Sequence, residues 1–258
     1  MPELSSGQFH LVYNLLSLTI ACMFASFVFF VLRRNDVAPR YRGAVVASAL
    51  VVFVAGYHYY RIFGSWDAAF ALNAAKKVYA PTGTPFNDAY RYVDWILTVP
   101  LLMVELVLVL VLPKAATKSL IGKLVIAAFL MIALGYPGEV DRTSNSVMSS
   151  RGFWGLLSTI PFLFILVTLL GEVRKAIGTA KPEVGVLLRN AGLLTLLTWG
   201  FYPIAFMAPF YGASGATAEV ALQVGYSVAD IAAKCGYGLL IFSIASLRSH
   251  DEPGFVKV

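Results

Sequence analysis

Six residues in two apolar stretches could do chemistry that a lipid interior normally excludes. Arg91, Asp94, Thr98 and Glu105 lie in one stretch, Asp230 and Lys234 in the other. A charged side chain at the centre of a bilayer costs about 2.5–3.5 kcal/mol on insertion scales unless it is paired or faces a polar interior. At 3.6 residues per turn Asp94 and Thr98 are one turn apart. The eleven residues from Asp94 to Glu105 make nearly three whole turns, about 16 Å of rise, and Arg91 precedes Asp94 by three. One helix face therefore reads Arg, Asp, Thr, Glu along its length. Asp230 and Lys234 stand at i and i+4, and helical side chains lean toward the N-terminus, so the amine is carried back to the level of the carboxylate. Two readings are open. In the first, the acids and bases neutralise one another and Glu105 sits protonated and idle. In the second, Lys234 is a desolvated amine that condenses with a carbonyl cofactor to form an imine, with two carboxylates and Arg91 as its counter-ion.

Aromatic residues accompany these charges. Trp199, Tyr202 and Pro203 stand at i, i+3 and i+4, and the proline frees a backbone carbonyl and permits a kink. Trp95 follows Asp94 directly. Such residues wall a slot for a flat polyene, or else form plain core, which is the commoner use of an aromatic stripe at helical spacing.

The elements that must position these groups are membrane helices. Of 258 residues, 59% are hydrophobic and 13% charged, a composition that belongs in lipid. Runs near the roughly 20 residues that cross a bilayer fall at about 10–32, 43–62, 89–112, 119–136, 153–172, 185–208 and 222–247. Lipid offers no partner for free backbone groups, so all seven are expected to be helices and the fold all-α, a single domain over 1–258. The first run is too long for a signal-peptide core and no Lys or Arg precedes it, so it reads as the first span. Breakers at Pro39, Pro81 to Gly83, Pro137-Gly138, Pro182 and Gly212 to Gly215 mark the connections. The long connection from Phe63 to Asp88 suits either a short hairpin or an irregular loop.

Basic residues give an orientation. Arg33, Arg34, Arg40, Arg42, Lys114, Lys118, Lys123, Arg174, Lys175, Lys181, Arg189, Arg248 and Lys257 gather on one side. The other side has Arg61, Lys76, Lys77, Arg142 and Arg151. The positive-inside rule then puts the N-terminus outside and the C-terminus in the cytoplasm. The net charge of +6 is scattered at span ends and does not suggest a nucleic-acid partner. Cys22 and Cys235 lie in apolar runs without metal spacing and read as packing residues. No HExxH, GxSxG or P-loop pattern occurs, so neither an enzyme of those types nor a metal site is expected.

Three segments together carry a family resemblance: RYVDWILTVPLL (Arg91 to Leu102), WGFYP (Trp199 to Pro203) and ADIAAK (Ala229 to Lys234). They resemble the third, sixth and seventh helices of microbial rhodopsins, with the proteorhodopsin and xanthorhodopsin-like bacterial proton pumps as the nearest subgroup. The resemblance implies a multi-pass plasma-membrane protein in which Lys234 carries all-trans retinal as a protonated Schiff base. It makes Asp94 the primary counter-ion and proton acceptor, Asp230 with Arg91 the rest of that complex, Thr98 a hydrogen-bonding neighbour, and Glu105 the proton donor on the cytoplasmic side. His58, in GYHYYR, matches the histidine that partners the counter-ion in proteorhodopsin-like pumps. Leu102 looks like the position associated with green absorption, and Ser158 would lie near the retinal ring. Gly155 matches the glycine that in xanthorhodopsin opens a window for an antenna carotenoid, or else serves packing. Homo-oligomers, trimers or pentamers, are common in that family. The paired glutamates that release protons in archaeal relatives have no match, because Leu222 stands eight residues before Asp230; Glu139, in GYPGE, resembles a family glutamate near the outer side. The implied function is light-driven outward proton pumping. A photosensor of the same fold, or a light-independent seven-helix protein, is the rival; sensors often lack a carboxylate like Glu105.

Overall fold

The computed structural model describes residues 1–140 and 150–255; Arg142 and Lys257, used above for orientation, lie outside these. A two-residue strand β1 (Leu4–Ser5) leads into helix α1 (Ser6–Arg33), followed by α2 (Arg42–Ala69), β2 (Phe70–Asn73), β3 (Val78–Pro81), α3 (Tyr90–Val109), α4 (Lys114–Val140), α5 (Ser150–Thr179) and α6 (Pro182–Phe206). The last span, α7, runs Gly215–Ser249. It is α-helical over Gly215–Asp230, π-helical over Ile231–Gly236 and α-helical again over Tyr237–Ser249.

All seven helices are long and apolar enough to cross a membrane. Several outrun the hydropathic runs: α2 continues to Ala69, and α4 extends past Pro137 and Gly138 to Val140. Hydropathy marks only the part that belongs in hydrocarbon, whereas the helix persists wherever backbone groups still find i−4 partners. The expectation that Pro137-Gly138 ends the fourth helix is therefore wrong. Pro100, Pro137, Pro161 and Pro203 all lie inside helices, where packing neighbours make a missing hydrogen bond tolerable.

The connection from α2 to α3 takes the hairpin alternative. β2 and β3 pair antiparallel, Phe70 opposite Pro81 and Asn73 opposite Val78, and β1 adds to the other edge of β3 with Leu4 opposite Tyr79. Ser5 also caps α1: its hydroxyl accepts from Gln8 N–H while Gln8 accepts from Ser5 N–H. Phe9 stacks on Tyr79 with ring centroids 3.8 Å apart, and Leu4, Trp66 and Phe70 close a small buried cluster beneath the sheet.

Burial ranks the helices. In their most apolar windows α2, α3 and α7 are 61%, 56% and 61% buried, against 22% for α1 and 17% for α5. The three central helices therefore hold the charged residues, while α1 and α5 turn most of their surface outward, with Leu156, Ile160 and Val167 exposed on α5. At the opposite end from the sheet, the end of α7 and the residues after it clasp the α1–α2 connection: Arg40 and Tyr41 donate to Glu252, and Ala38 N–H donates to Ser249. Cys235 is buried with its sulfur 3.4 Å from that of Met23, and Cys22 is also a free thiol.

Candidate functional site

The π-helical turn of α7 falls on Lys234. Such turns are rare and mostly appear as insertions at functional sites, and nothing in the local sequence IAAKCG announces one. Lys234 is buried, with its nitrogen 2.7 Å from Asp94 Oδ2 on α3 and 3.0 Å from Asp230 Oδ2 one turn earlier on α7. One ammonium thus sits between two carboxylates, all three out of solvent.

The two carboxylates are bonded very differently. Asp230 accepts from the Tyr59 hydroxyl of α2 at 2.8 Å through Oδ2, and from the Tyr202 hydroxyl of α6 through Oδ1. Asp94 accepts from Lys234 through Oδ2, and its Oδ1 has no hydrogen-bond partner among the described residues. Sequence reasoning placed Tyr202 only as a wall and missed Tyr59; a tyrosine in an apolar span carries no sign of where its hydroxyl will land.

Arg91 departs from the expected arrangement. Its guanidinium is buried but bonds neither carboxylate. Nη2 donates to Gln223 Oε1 at 2.8 Å, and the planar group lies 4.7 Å from the Tyr226 ring centroid and 5.8 Å from that of Tyr59. Cation–π contact with two rings replaces part of the lost hydration. Thr98 shares the face of Asp94, but its hydroxyl donates to the Asp94 backbone carbonyl at 3.0 Å, so it steadies the helix rather than the carboxylate. His58 is buried with Nδ1 2.9 Å from the Val54 carbonyl and stands within electrostatic reach of Asp94. Glu105, fully buried, accepts from the Ser48 hydroxyl of α2, a partner the sequence did not suggest.

Beside Lys234 opens a cavity of about 520 Å³, bounded by α3 to α7, within the roughly 300–1,000 Å³ usual for small-molecule pockets. Trp95, Leu102, Trp199, Tyr202, Pro203, Ser158 and Gly155 all line it, together with Asp230 and Lys234. Trp95 meets Tyr202 edge-on at 5.1 Å and Tyr226 at 5.8 Å. Ser158 donates to the Met131 carbonyl at 2.7 Å, which ties α5 to α4 along the wall. Asp94, Thr98, Glu105, Arg91 and His58 are not among the lining residues. Gly155 is a close-approach position: a Cβ there would meet Phe206 at 2.7 Å, so the edge of that ring already fills the space a side chain would take. An apolar chamber with flat walls and a single primary amine suits an elongated conjugated aldehyde.

The family model described as bacteriorhodopsin-like protein matches residues 10–247. The chain belongs to that family. Among solved structures it is similar to xanthorhodopsin, described as a light-driven ion pump with dual chromophore. The TM-score is 0.94 at 55% identity, over 99% of this chain and 100% of that one. Green-light absorbing proteorhodopsin of Gamma-proteobacterium EBAC31A08 is 28% identical over 235 residues, and blue-light absorbing proteorhodopsin of Gamma-proteobacterium Hot 75m4 is 30% identical over 236. Each alignment covers 91% of this chain and 86% of the relative. The chain is thus a bacterial type 1 rhodopsin. Overall identity does not separate the green from the blue relative, so colour must be argued from pocket residues.

Proposed function

We propose that this rhodopsin is a light-driven pump that moves protons outward across the plasma membrane, with all-trans retinal held covalently by Lys234. The observation that carries the reading is the unequal bonding of the two carboxylates beside that lysine. Asp230 is held by two tyrosine hydroxyls, and hydrogen bonds to a charged carboxylate favour the charged form. Asp94 has an oxygen with no hydrogen-bond partner among the described residues, so it can take a proton without displacing one. Of two acids at similar distance from one amine, Asp94 is the acceptor and Asp230 the fixed counter-charge.

The cavity fits retinal by its apolar walls, its volume and its single amine; rhodopsins of this family bind retinal. When bound, retinal supplies light absorption and a change of shape at the lysine nitrogen. Lys234, whose nitrogen lies 2.7 Å from Asp94 Oδ2, is placed to yield a proton to that carboxylate. Arg91, a permanent cation held by Gln223 and two aromatic faces, keeps the outer side positive and favours onward loss of that proton. Glu105 lies about three turns along α3 on the other side of Lys234 and has a hydroxyl partner rather than a cation, so it can carry a proton as a neutral acid and return it to the lysine nitrogen. Acceptor and donor on opposite sides of one nitrogen make the transport vectorial. The basic-residue asymmetry orients the N-terminus outside and the C-terminus in the cytoplasm. His58 stands beside Asp94 anchored to the Val54 carbonyl, Thr98 acts through the Asp94 backbone, and Leu102 in the cavity wall favours green absorption.

The test is direct: cells expressing the protein with retinal, suspended without buffer, acidify the medium on illumination, and a protonophore abolishes the signal. Alkalinisation enhanced by the protonophore would instead show passive proton uptake following another ion. A light cycle lasting seconds with no pH change would favour the sensor reading.

A carotenoid antenna is the finer part of the cofactor set, and Gly155 is its place. Because the Phe206 edge occupies the space beside Gly155, an antenna ring seated there must first turn Phe206 aside. Adding a carotenoid to the purified pigment and recording the action spectrum of the photocycle tests this; a Gly155→Trp variant should lose any antenna band while keeping the retinal band. The assembly we propose is a homo-oligomer, a trimer or pentamer, to be read by mass spectrometry from lipid discs.

A further inference from the structure

Outward from Arg91, α7 carries Gln223, which the pumping reading uses only to hold Arg91, and Glu219, which it does not use. Gln223 is fully buried. Its carbonyl oxygen accepts from Arg91 Nη2 at 2.8 Å and its amide nitrogen donates to Glu219 Oε1 at 2.9 Å. The order is fixed by chemistry: a guanidinium has only donors, so the amide must turn its oxygen to Arg91 and its N–H to Glu219. One buried amide thereby links the cation beside Asp94 to a carboxylate that is only partly buried.

Glu219 lines a second cavity of about 180 Å³, together with Glu139, Arg151, Leu222 and Tyr226. Tyr226 also lines the larger cavity beside Lys234. Tyr226, with Arg91 over one face of its ring, is thus common to the walls of both chambers. Two carboxylates face the outer chamber, and their partners differ. Glu139 is ion-paired at 3.1 Å with Arg151, whose guanidinium is buried and also donates to the Phe206 and Gly138 carbonyls. Protonating Glu139 would break a buried ion pair. The partner of Glu219 is a neutral amide N–H, which can donate equally to a carboxylate or to the carbonyl oxygen of a carboxylic acid, so Glu219 can change protonation state and keep its bond.

We propose that Glu219 is the outermost proton-handling residue of the pump, with Gln223 as the positioning residue that holds it in register with Arg91. The step conserves protons: Asp94 returns from carboxylic acid to carboxylate as Glu219 goes from carboxylate to carboxylic acid, water admitted past Tyr226 carrying the proton between them. Glu219 then loses that proton to external water. Arg91 keeps its charge throughout. The proposal rests on the outward-pumping reading. Among the described residues, the charged groups that act on Tyr226 along with Arg91 are Asp88, Glu139 and Arg151.

The experiment uses the full-length pigment in lipid vesicles, a flash, and a pH-sensitive dye outside. Infrared difference spectra of the same samples report carboxyl C=O bands. Glu219→Gln should delay the appearance of protons outside, on the order of 10²-fold for a lost acid–base group, and remove one carboxyl band, with the visible absorption maximum unchanged. Glu219→Asp should restore most of the release rate, and Gln223→Leu should delay release while keeping the Glu219 band. The idea is overturned if Glu219→Gln releases protons at the wild-type time and removes no carboxyl band, or if Glu139→Gln or Asp88→Asn produces the delay instead. A wild-type pigment that releases no protons at all in light would overturn the pumping reading itself, an outcome distinct from either.

Discussion

The two ends of the polar path along α3 are built from different materials. Toward the N-terminal end of α3, Asp94, Arg91, Gln223 and Glu219 succeed one another with a cavity on either side of Tyr226. Toward the C-terminal end, Glu105 meets a single hydroxyl, from Ser48, and its helix neighbours Leu102, Met103, Leu106 and Val107 are all buried apolar residues. A proton moving through the first region finds polar groups at each step. A proton moving through the second must cross packed side chains, which is costly unless the helices part. The difference teaches where the barrier of the proposed path lies: polar groups and two cavities stand toward the N-terminal end of α3, while packed apolar side chains surround Glu105.

The contrast breaks most completely at the residue between the halves. Lys234→Arg keeps a cation between Asp94 and Asp230 but cannot form an imine, so the visible band on adding retinal should be lost entirely; absorption spectra decide it. Lys234→Ala should in addition leave two buried carboxylates unpaired, at a cost of about 3–5 kcal/mol, read as a lowered melting temperature. Next in size is Asp94→Asn, which removes the acceptor of the outer half. Net pumping should fall by at least about 10²-fold with the pigment still coloured, measured as light-induced acidification of the medium.

On the inner side, Glu105→Gln should slow return of the proton to Lys234 by roughly 10²-fold while leaving the first transfer to Asp94 at its normal rate. Flash spectroscopy separates the two, and equal slowing of both would erase the distinction between the halves. Smaller still, Tyr59→Phe removes one of the two hydroxyls on Asp230 and should cost about 1–3 kcal/mol of stability. If fixed bonding is what keeps Asp230 out of the proton transfer, infrared spectra of that variant should show a new protonated carboxyl. Its absence would mean that Tyr202 alone suffices.

Much of the site was legible in the residue pattern because lipid makes charge expensive. Arg91, Asp94, Glu105, Asp230 and Lys234 were visible as anomalies in apolar runs, and helical periodicity brought Lys234 level with Asp230, while the pairing of Lys234 with Asp94 was implied by the family resemblance alone. The residues that escaped notice were those whose presence in a span is cheap: Tyr59, Ser48, Gln223 and Tyr226. Glu219 escaped because a carboxylate near a span end looks like an ordinary solvated residue. Hydrophobic runs likewise located seven helices but misjudged their ends, since α4 continues past Pro137 and Gly138, and they left the hairpin of β2 and β3 undecided.

By itself the sequence determined the seven spans, the lysine and its acids, and the order of the polar residues along α3, because 3.6-residue periodicity and the cost of buried charge are local rules. Tertiary structure alone made the choice of which acid is tied down by tyrosine hydroxyls and which is not. That choice depends on hydroxyls delivered from α2 and α6 to Asp230, on a π-turn that sets the reach of Lys234, and on Arg91 turning to Gln223 instead of to a carboxylate. Such contacts join residues up to 171 positions apart in the chain, as Tyr59 and Asp230 are, and no rule of local spacing can select them.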